Sequence, residues 1–166
     1  MFRVTVHPHY GRDVTDSLSF SVFIAAPADV LYDMVSDVTR MGEWSPVCVE
    51  GWWDEGEGPA VGRWFTGRNV TPERTWETKS LVEAATRGEV FSFVVGGDRT
   101  RWTYSFAALE GGTEVTESWE FLPGGRASFE ERFGDDAPRQ ITLREEAARQ
   151  GIPETLAALK RVAESL

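Results

Sequence analysis

Apolar and polar residues alternate along much of the chain between residues 17 and 122, which is the pattern of half-buried strands. The alternation predicts seven strands, near 17–25, 47–53, 61–69, 75–85, 89–96, 100–109 and 113–122. Apolar residues at helical spacing predict two short helices, 27–37 and 39–44, and a C-terminal helix that begins near Arg139. Gly151 and Pro153 should bend or break that last helix. The glycine- and proline-rich stretch 123–138 is expected to be a loop.

Three glycine-containing turns predict how the strands pair, because two-residue hairpin loops favour glycine. They are placed at Arg87-Gly88, Gly97-Asp98 and Gly111-Gly112. The predicted pairs are Phe93 with Val82 and Trp102, Phe91 with Ala84 and Tyr104, Tyr104 with Trp119, Phe106 with Glu117, and Ala108 with Val115. One sheet face then carries many apolar side chains and one carboxylate, namely Val82, Phe91, Phe93, Val95, Trp102, Tyr104, Phe106, Val115, Trp119, Phe121 and Glu117.

Composition narrows the class of protein. A chain of 166 residues with ten Phe, seven Trp and three Tyr has the size of one domain and enough apolar area for a core. The net charge of −10 disfavours nucleic acid and anionic membrane surfaces as partners. Cys48 is the only cysteine, so no intramolecular disulfide is possible. No signal peptide or membrane-spanning run is apparent, so we expect a cytoplasmic protein without membrane insertion.

Several segments resemble a known family. The run Val22–Val30, then Ser36-Asp37-Val38 leading to Glu43-Trp44-Ser45-Pro46, resembles the opening signature of the START-like (Bet v 1-like, SRPBCC) superfamily. More narrowly, it is similar to the polyketide cyclase/dehydrase and lipid-transport family, whose pattern the segments 62–69 and 112–118 also match. The resemblance implies an α+β helix-grip fold, with a seven-stranded antiparallel sheet curled around a long C-terminal helix, two short helices after the first strand and often a cavity. We interpret 1–16 as an N-terminal arm and 17–166 as this domain.

Few polar groups are expected inside such a cavity. If Phe65 points inward, strand alternation sends Arg63 and Asn69 the same way. Glu117, Asn69 and Arg63 are therefore the candidate catalytic residues: Glu117 with a raised pKa removes a proton next to a ketone, and Arg63 or Asn69 stabilises the enolate oxygen. The alternative is structural, with Glu117 bonded to Tyr104 or a neighbouring strand, or paired with Arg63.

The candidate ligand-binding residues are aromatic side chains expected around the cavity: Trp44, Phe65, Phe93, Trp102, Tyr104 and Trp119. His7 and His9 share a face of an extended segment, but no carboxylate or cysteine of matching spacing accompanies them, so a solvated arm is expected there. We predict neither a metal site nor a cofactor.

Two functional hypotheses follow. The first is a non-catalytic binder or carrier of an apolar small molecule, such as a lipid or an aromatic polyketide-like compound, gated by the 123–138 loop. The second is a polyketide aromatase/cyclase or dehydratase that uses the buried carboxylate. The sequence leaves the ligand, the catalytic status, the opening of the cavity and the oligomeric state open.

Overall fold

The structure is a computed structural model that describes the backbone of residues 3–6 and 16–166 and the side chains of residues 17–166. His7 and His9 lie outside the described residues. The strands are β1 (Arg3–Val6), β2 (Asp16–Ile24), β3 (Cys48–Trp53), β4 (Trp64–Val70), β5 (Thr75–Thr86), β6 (Val90–Val95), β7 (Thr100–Leu109) and β8 (Gly112–Phe121). The helices are α1 (Ala28–Ser36), a 3₁₀ helix (Val38–Glu43), α2 (Pro123–Phe133), a 3₁₀ turn (Gly134–Asp136) and α3 (Ala137–Glu164).

All described strands join one antiparallel sheet in the order β1-β2-β8-β7-β6-β5-β4-β3. The seven predicted strands are present, and the α+β helix-grip fold is confirmed. β1, which falls within the predicted N-terminal arm, adds an eighth strand beside β2. The two short helices after β2 are also as predicted, although the second is a 3₁₀ helix.

The predicted pairing is correct for the β6–β7 hairpin, where Phe93 lies opposite Trp102 and Phe91 opposite Tyr104. The predicted pair of Phe93 with Val82 is also correct, but the remaining predicted pairs, one in the β5–β6 hairpin and three in the last hairpin, are wrong. A bulge in β5 places Ala85, not Ala84, opposite Phe91. The last hairpin turns at residues 110–111, not at 111–112, so its register differs by two residues, and the observed pairs are Tyr104 with Glu117, Phe106 with Val115 and Ala108 with Thr113. A shift of two residues keeps every side chain on its predicted face.

α3 covers the inner face of the sheet through β2 and β8. Its fully buried side chains include Ile152, Leu156 and Leu159, which belong to one hydrophobic core with the inner residues of the sheet. Of the predicted bend or break at Gly151 and Pro153, the break is wrong, because α3 continues through both residues. Burial of these large apolar side chains stabilises the long helix more than one missing N–H weakens it.

The predicted loop at 123–138 is also wrong, since this stretch forms α2 and the 3₁₀ turn. Pro123 occupies the first turn of α2, where its missing N–H costs nothing. Gly124 and Gly125 allow the helix to approach the β6–β7 turn: an added Cβ on them would lie 2.5 Å from the carbonyl oxygens of Asp98 and Arg99, respectively. The glycines therefore serve close packing here rather than a loop.

Candidate functional site

Glu117 and Tyr104 form a buried polar pair on the inner face of β8 and β7. Glu117 is 3 % exposed, and the Tyr104 hydroxyl donates a hydrogen bond of 2.9 Å to its Oε1. The other oxygen, Oε2, is buried and has no hydrogen-bond partner among the described residues. Burial raises the pKa of Glu117 to about 8, and the bond from Tyr104 only partly opposes this. The carboxyl group is therefore mostly protonated at neutral pH.

Tyr104 remains a hydrogen-bond donor at any physiological pH. Burial, followed by the charge of Glu117, raises the pKa of the tyrosine well above its usual value. Cys48 on β3 contributes to the same increase, so it lies close enough to Tyr104 to interact with it. β7 and β3 are four places apart in the sheet, about 19 Å if the sheet were flat. The interaction between Tyr104 and Cys48 thus reflects the strong curl of the sheet, which makes its two halves face each other.

The facing half of the sheet carries Cys48, Asn69 and Thr78. The Cys48 thiol is buried, which raises its pKa, and donates to the carbonyl of Glu50 at 3.4 Å. The Asn69 amide donates to the carbonyl of Gly67 at 3.3 Å and to the Thr78 hydroxyl at 3.2 Å. Asn69 therefore lies on the inner face, as alternation predicts, but its hydrogen bonds are to its own and the adjacent strand, not to Glu117.

Arg63 is not brought to Glu117. Its guanidinium donates to the backbone carbonyls of Glu57 and Gly58, the second at 2.9 Å, and lines a pocket near the turn that precedes β4. The alternation argument does not apply to Arg63, because β4 begins only at Trp64. Among the described residues, no ion pair joins Arg63 and Glu117; the hydrogen bond between Glu117 and Tyr104 is the interaction that the structural alternative expected.

The predicted aromatic residues lie in or against the core. Phe65 and Phe93 meet edge to face with ring centroids 5.0 Å apart, and Trp119 stacks on Phe121 at 6.0 Å. Trp102 is only partly buried, whereas Trp44 is 4 % exposed and belongs to the core cluster. Trp102 and Trp119, which pair with each other, lie two residues from Tyr104 and Glu117 on the same sheet face and place apolar surface beside that pair.

A pocket of about 660 Å³ lies where α1 approaches the 57–59 turn and the end of β5. Its lining includes Tyr32, Ser36, Trp53 and Ala85, and none of the predicted site residues. Tyr32 is buried and meets Phe91 and Phe106 of the inner sheet face edge to face, so one wall of the pocket is continuous with the core. Sequence reasoning missed this pocket because its walls come from segments far apart in the chain. Residues 123–138 line neither this pocket nor the one beside Arg63, so neither pocket supports gating by that segment.

Comparisons with known proteins agree with this architecture. A family model described as polyketide cyclase / dehydrase and lipid transport matches residues 15–164. The chain belongs to this family. The Polyketide_cyc-like protein Cgl2372 from Corynebacterium glutamicum is 52% identical, with a TM-score of 0.69 over 91% of this chain and 93% of that one. A search of the curated proteins found no match.

More distant solved structures share the fold. The di-domain ARO/CYC StfQ from the steffimycin biosynthetic pathway is 14% identical, with a TM-score of 0.72 over 93% of this chain and 52% of StfQ. Ara h 8.0201 is 15% identical, with a TM-score of 0.62 over 92% of this chain and 100% of that one. Within the described residues, no helix combines the length and apolar character required to cross a membrane.

Proposed function

We propose that the protein binds an apolar small molecule that carries a hydrogen-bond-accepting oxygen, and that Glu117 donates to that oxygen. The observation that carries this proposal is the buried Oε2 of Glu117, which has no partner among the described residues. Leaving such a group unsatisfied costs about 1–3 kcal/mol. A ligand carbonyl or hydroxyl oxygen next to the protonated carboxyl would recover that free energy.

The surroundings of Glu117 support an apolar ligand body. Tyr104 already occupies Oε1, and the neighbouring inner-face side chains, Phe93 and Trp119 among them, present apolar surface. Such sites combine a mostly apolar lining with a few polar groups that orient the ligand. Membership of a family described by polyketide cyclisation and lipid transport is consistent with this ligand class.

The protonation state of Glu117 favours binding over base catalysis. With a pKa of about 8, the carboxyl group at pH 7 is a hydrogen-bond donor in most molecules and a base in about one in ten. A binder can use the major state, whereas a general base must use the minor one. The non-catalytic binder is therefore the function that the site supports best.

A ligand comparison tests the proposal. Mass spectrometry after purification under native conditions identifies any retained molecule, and thermal shifts with fatty acids, sterols, flavonoids and aromatic polyketides extend the search. We expect a long-chain ketone to raise the Tm more than the alkane of equal length, and Glu117→Leu to abolish that preference. Glu114→Leu, on the opposite face of β8, is the matched control. Failure of every compound to raise the Tm would contradict the proposal.

A second candidate function is a cyclase or dehydratase acting on a poly-ketone substrate. It is favoured by the pKa of Glu117, which lies close enough to neutrality for proton exchange. In this case Glu117→Gln should abolish turnover while substrate binding persists, and the activity of the wild type should rise with pH up to about 8. Arg63 has no role in this candidate mechanism, because its guanidinium is held by the 57–58 carbonyls.

A further inference from the structure

Three arginines from different elements lie near one another, with Arg74 in the β4–β5 turn and Arg132 of α2 both close enough to Arg144 of α3 for their charges to act on it. Each guanidinium lies over an aromatic ring. The pairs and their distances to the ring centroid are Arg74 on Trp76 (4.0 Å), Arg132 on Phe133 (5.0 Å) and Arg144 on Phe129 (5.5 Å). We call Arg74, Arg132 and Arg144 the arginine cluster.

The charge of the arginine cluster is not balanced. None of the three residues has an ion pair with a carboxylate in the described part of the chain, although the protein carries a net charge of −10. Burial, then the nearby positive charges of Arg74 and Arg132, lower the pKa of Arg144, so Arg144 lies close enough to both cations to be repelled by them. An anion bound between them would relieve that repulsion.

Arg68 shows that an arginine stacked on an aromatic ring need not be unbalanced. Its guanidinium lies 5.4 Å from the ring centroid of Trp52, as those of the arginine cluster lie over their own rings. It also pairs with Glu50 at 2.7 Å and with Glu77 at 3.6 Å. The missing carboxylates are thus a specific property of the arginine cluster.

The arginine cluster is continuous with the aromatic interior. Phe129, under Arg144, meets Phe121 edge to face at 5.2 Å, and Phe121 stacks on Trp119. Trp119 follows Glu117 by two residues on the same face of β8. On the half of the sheet that faces β7 and β8, Trp76, which lies under Arg74, pairs with Asn69. Side chains on both halves of the curled sheet therefore connect the arginine cluster with the region around Glu117.

We propose that the arginine cluster binds the anionic group, a carboxylate or a phosphate, of an amphipathic ligand whose apolar part lies in the interior. The proposal rests on the function proposed above for the interior. Stacked guanidinium groups keep their N–H edges free, and these edges match carboxylate and phosphate oxygens. A small anion suits the arginine cluster better than a large polyanion, because the overall negative charge repels an extended anionic surface.

The experiment compares dodecanoate with dodecan-1-ol, which have the same chain length and differ in charge. Dissociation constants are measured at low salt for the wild type and for Arg74→Gln and Arg144→Gln. Arg68→Gln is the matched control, since it removes a stacked arginine whose charge is balanced. Inorganic phosphate is the third probe, because it carries the anion without an apolar part. The Tm of each variant confirms that it is folded.

We expect the wild type to bind dodecanoate at least about tenfold more tightly than dodecan-1-ol, since each charge-assisted hydrogen bond contributes on the order of a tenfold change in affinity. The preference should fall in both cluster variants, persist in Arg68→Gln, and weaken as salt is added. Equal affinity for the two amphiphiles, or a preference that both cluster variants retain, overturns the anion site and leaves the interior function intact.

Failure of both amphiphiles to bind overturns the amphipathic ligand and leaves the function proposed for the interior to its own ligand screen, and phosphate then decides whether a site for free anions remains. Phosphate binding that is lost in Arg144→Gln would retain a site for free anions and overturn the amphipathic ligand. No phosphate binding to the wild type would overturn the anion site as well.

Discussion

Replacing Glu117 with Gln tests whether burial controls the protonation of this carboxyl group. The ordinary pKa of 4.5 applies in the unfolded chain, and the folded value is about 8. Below pH 4.5 both states are protonated, so the group costs no stability. Between pH 4.5 and 8 the unfolded state releases its proton while the folded state keeps it, so the free energy of unfolding falls by about 1.4 kcal/mol per pH unit.

The size of this stability loss follows from the two pKa values. At pH 7 the wild type should have lost about 3 kcal/mol of stability through Glu117, and above pH 8 about 5 kcal/mol. Gln does not titrate, and its carbonyl oxygen can still accept the hydrogen bond from Tyr104. Its amide nitrogen, placed where Oε2 now lies, stays unpartnered at a cost of about 1–3 kcal/mol that does not depend on pH. The difference in stability between Glu117→Gln and the wild type should therefore increase with pH.

The assay is urea unfolding of both proteins at several pH values from 5 to 9. Glu114→Gln, which makes the same substitution on the opposite face of β8, is the matched control for the substitution itself. We expect the free energy of unfolding of Glu117→Gln, relative to that of the wild type, to increase by about 1.4 kcal/mol per pH unit up to pH 8 and then to stay constant. A difference that stays constant from pH 5 to 9 would refute the raised pKa and, with it, the neutral donor in the proposed site.

Other substitutions test the packing around the site. Tyr104→Phe should cost about 1–3 kcal/mol in urea unfolding, because it leaves both oxygens of Glu117 without a partner; no loss would show that the hydrogen bond contributes nothing net. Leu156→Ala should lower the free energy of unfolding by about 2–5 kcal/mol, and a loss below 1 kcal/mol would contradict its full burial. Gly112→Ala should lower the Tm sharply, since its Cβ would lie 2.2 Å from the Ile24 carbonyl oxygen. Gly151→Ala, whose Cβ would make an ordinary van der Waals contact of 3.9 Å with Cγ of Pro46, should raise stability by about 0.5–1 kcal/mol; a decrease would show that α3 needs the flexibility of glycine there.

The sheet face to which each strand side chain points could be predicted from the sequence, because side chains alternate between the two faces and a register error of two residues does not change that face. The turn of the last hairpin was misplaced by one residue, which moved the register by two and left Glu117 on the correct face. The bulge in β5 could not be foreseen, since no glycine or other local signal marks it between Val82 and Ala84. Positions near the ends of strands were least predictable: Arg63 precedes β4, so alternation within that strand does not fix its direction.

The helical structure of 123–138 was not predictable from local signals. Pro123, Gly124 and Gly125 suggest a loop when read locally, and only the close approach of the β6–β7 turn explains why glycine is suited to this helix. The proximity of Tyr104 to Cys48 likewise depends on how far the sheet curls, which the pattern of any single strand does not encode. Tertiary contacts decide both features.

The pairing of β2 with β8 has a consequence for how the chain folds. These strands are adjacent in the sheet but lie almost a hundred residues apart along the chain, with five other strands formed between them. Closing so long a loop carries an entropic cost that only the completed pairing and the packing of α3 repay. During synthesis, the partner of β2 leaves the ribosome only after β3–β7, so one edge of β2 stays unpaired until then. Folding is therefore expected to finish late in synthesis, with slow closure as its limiting step.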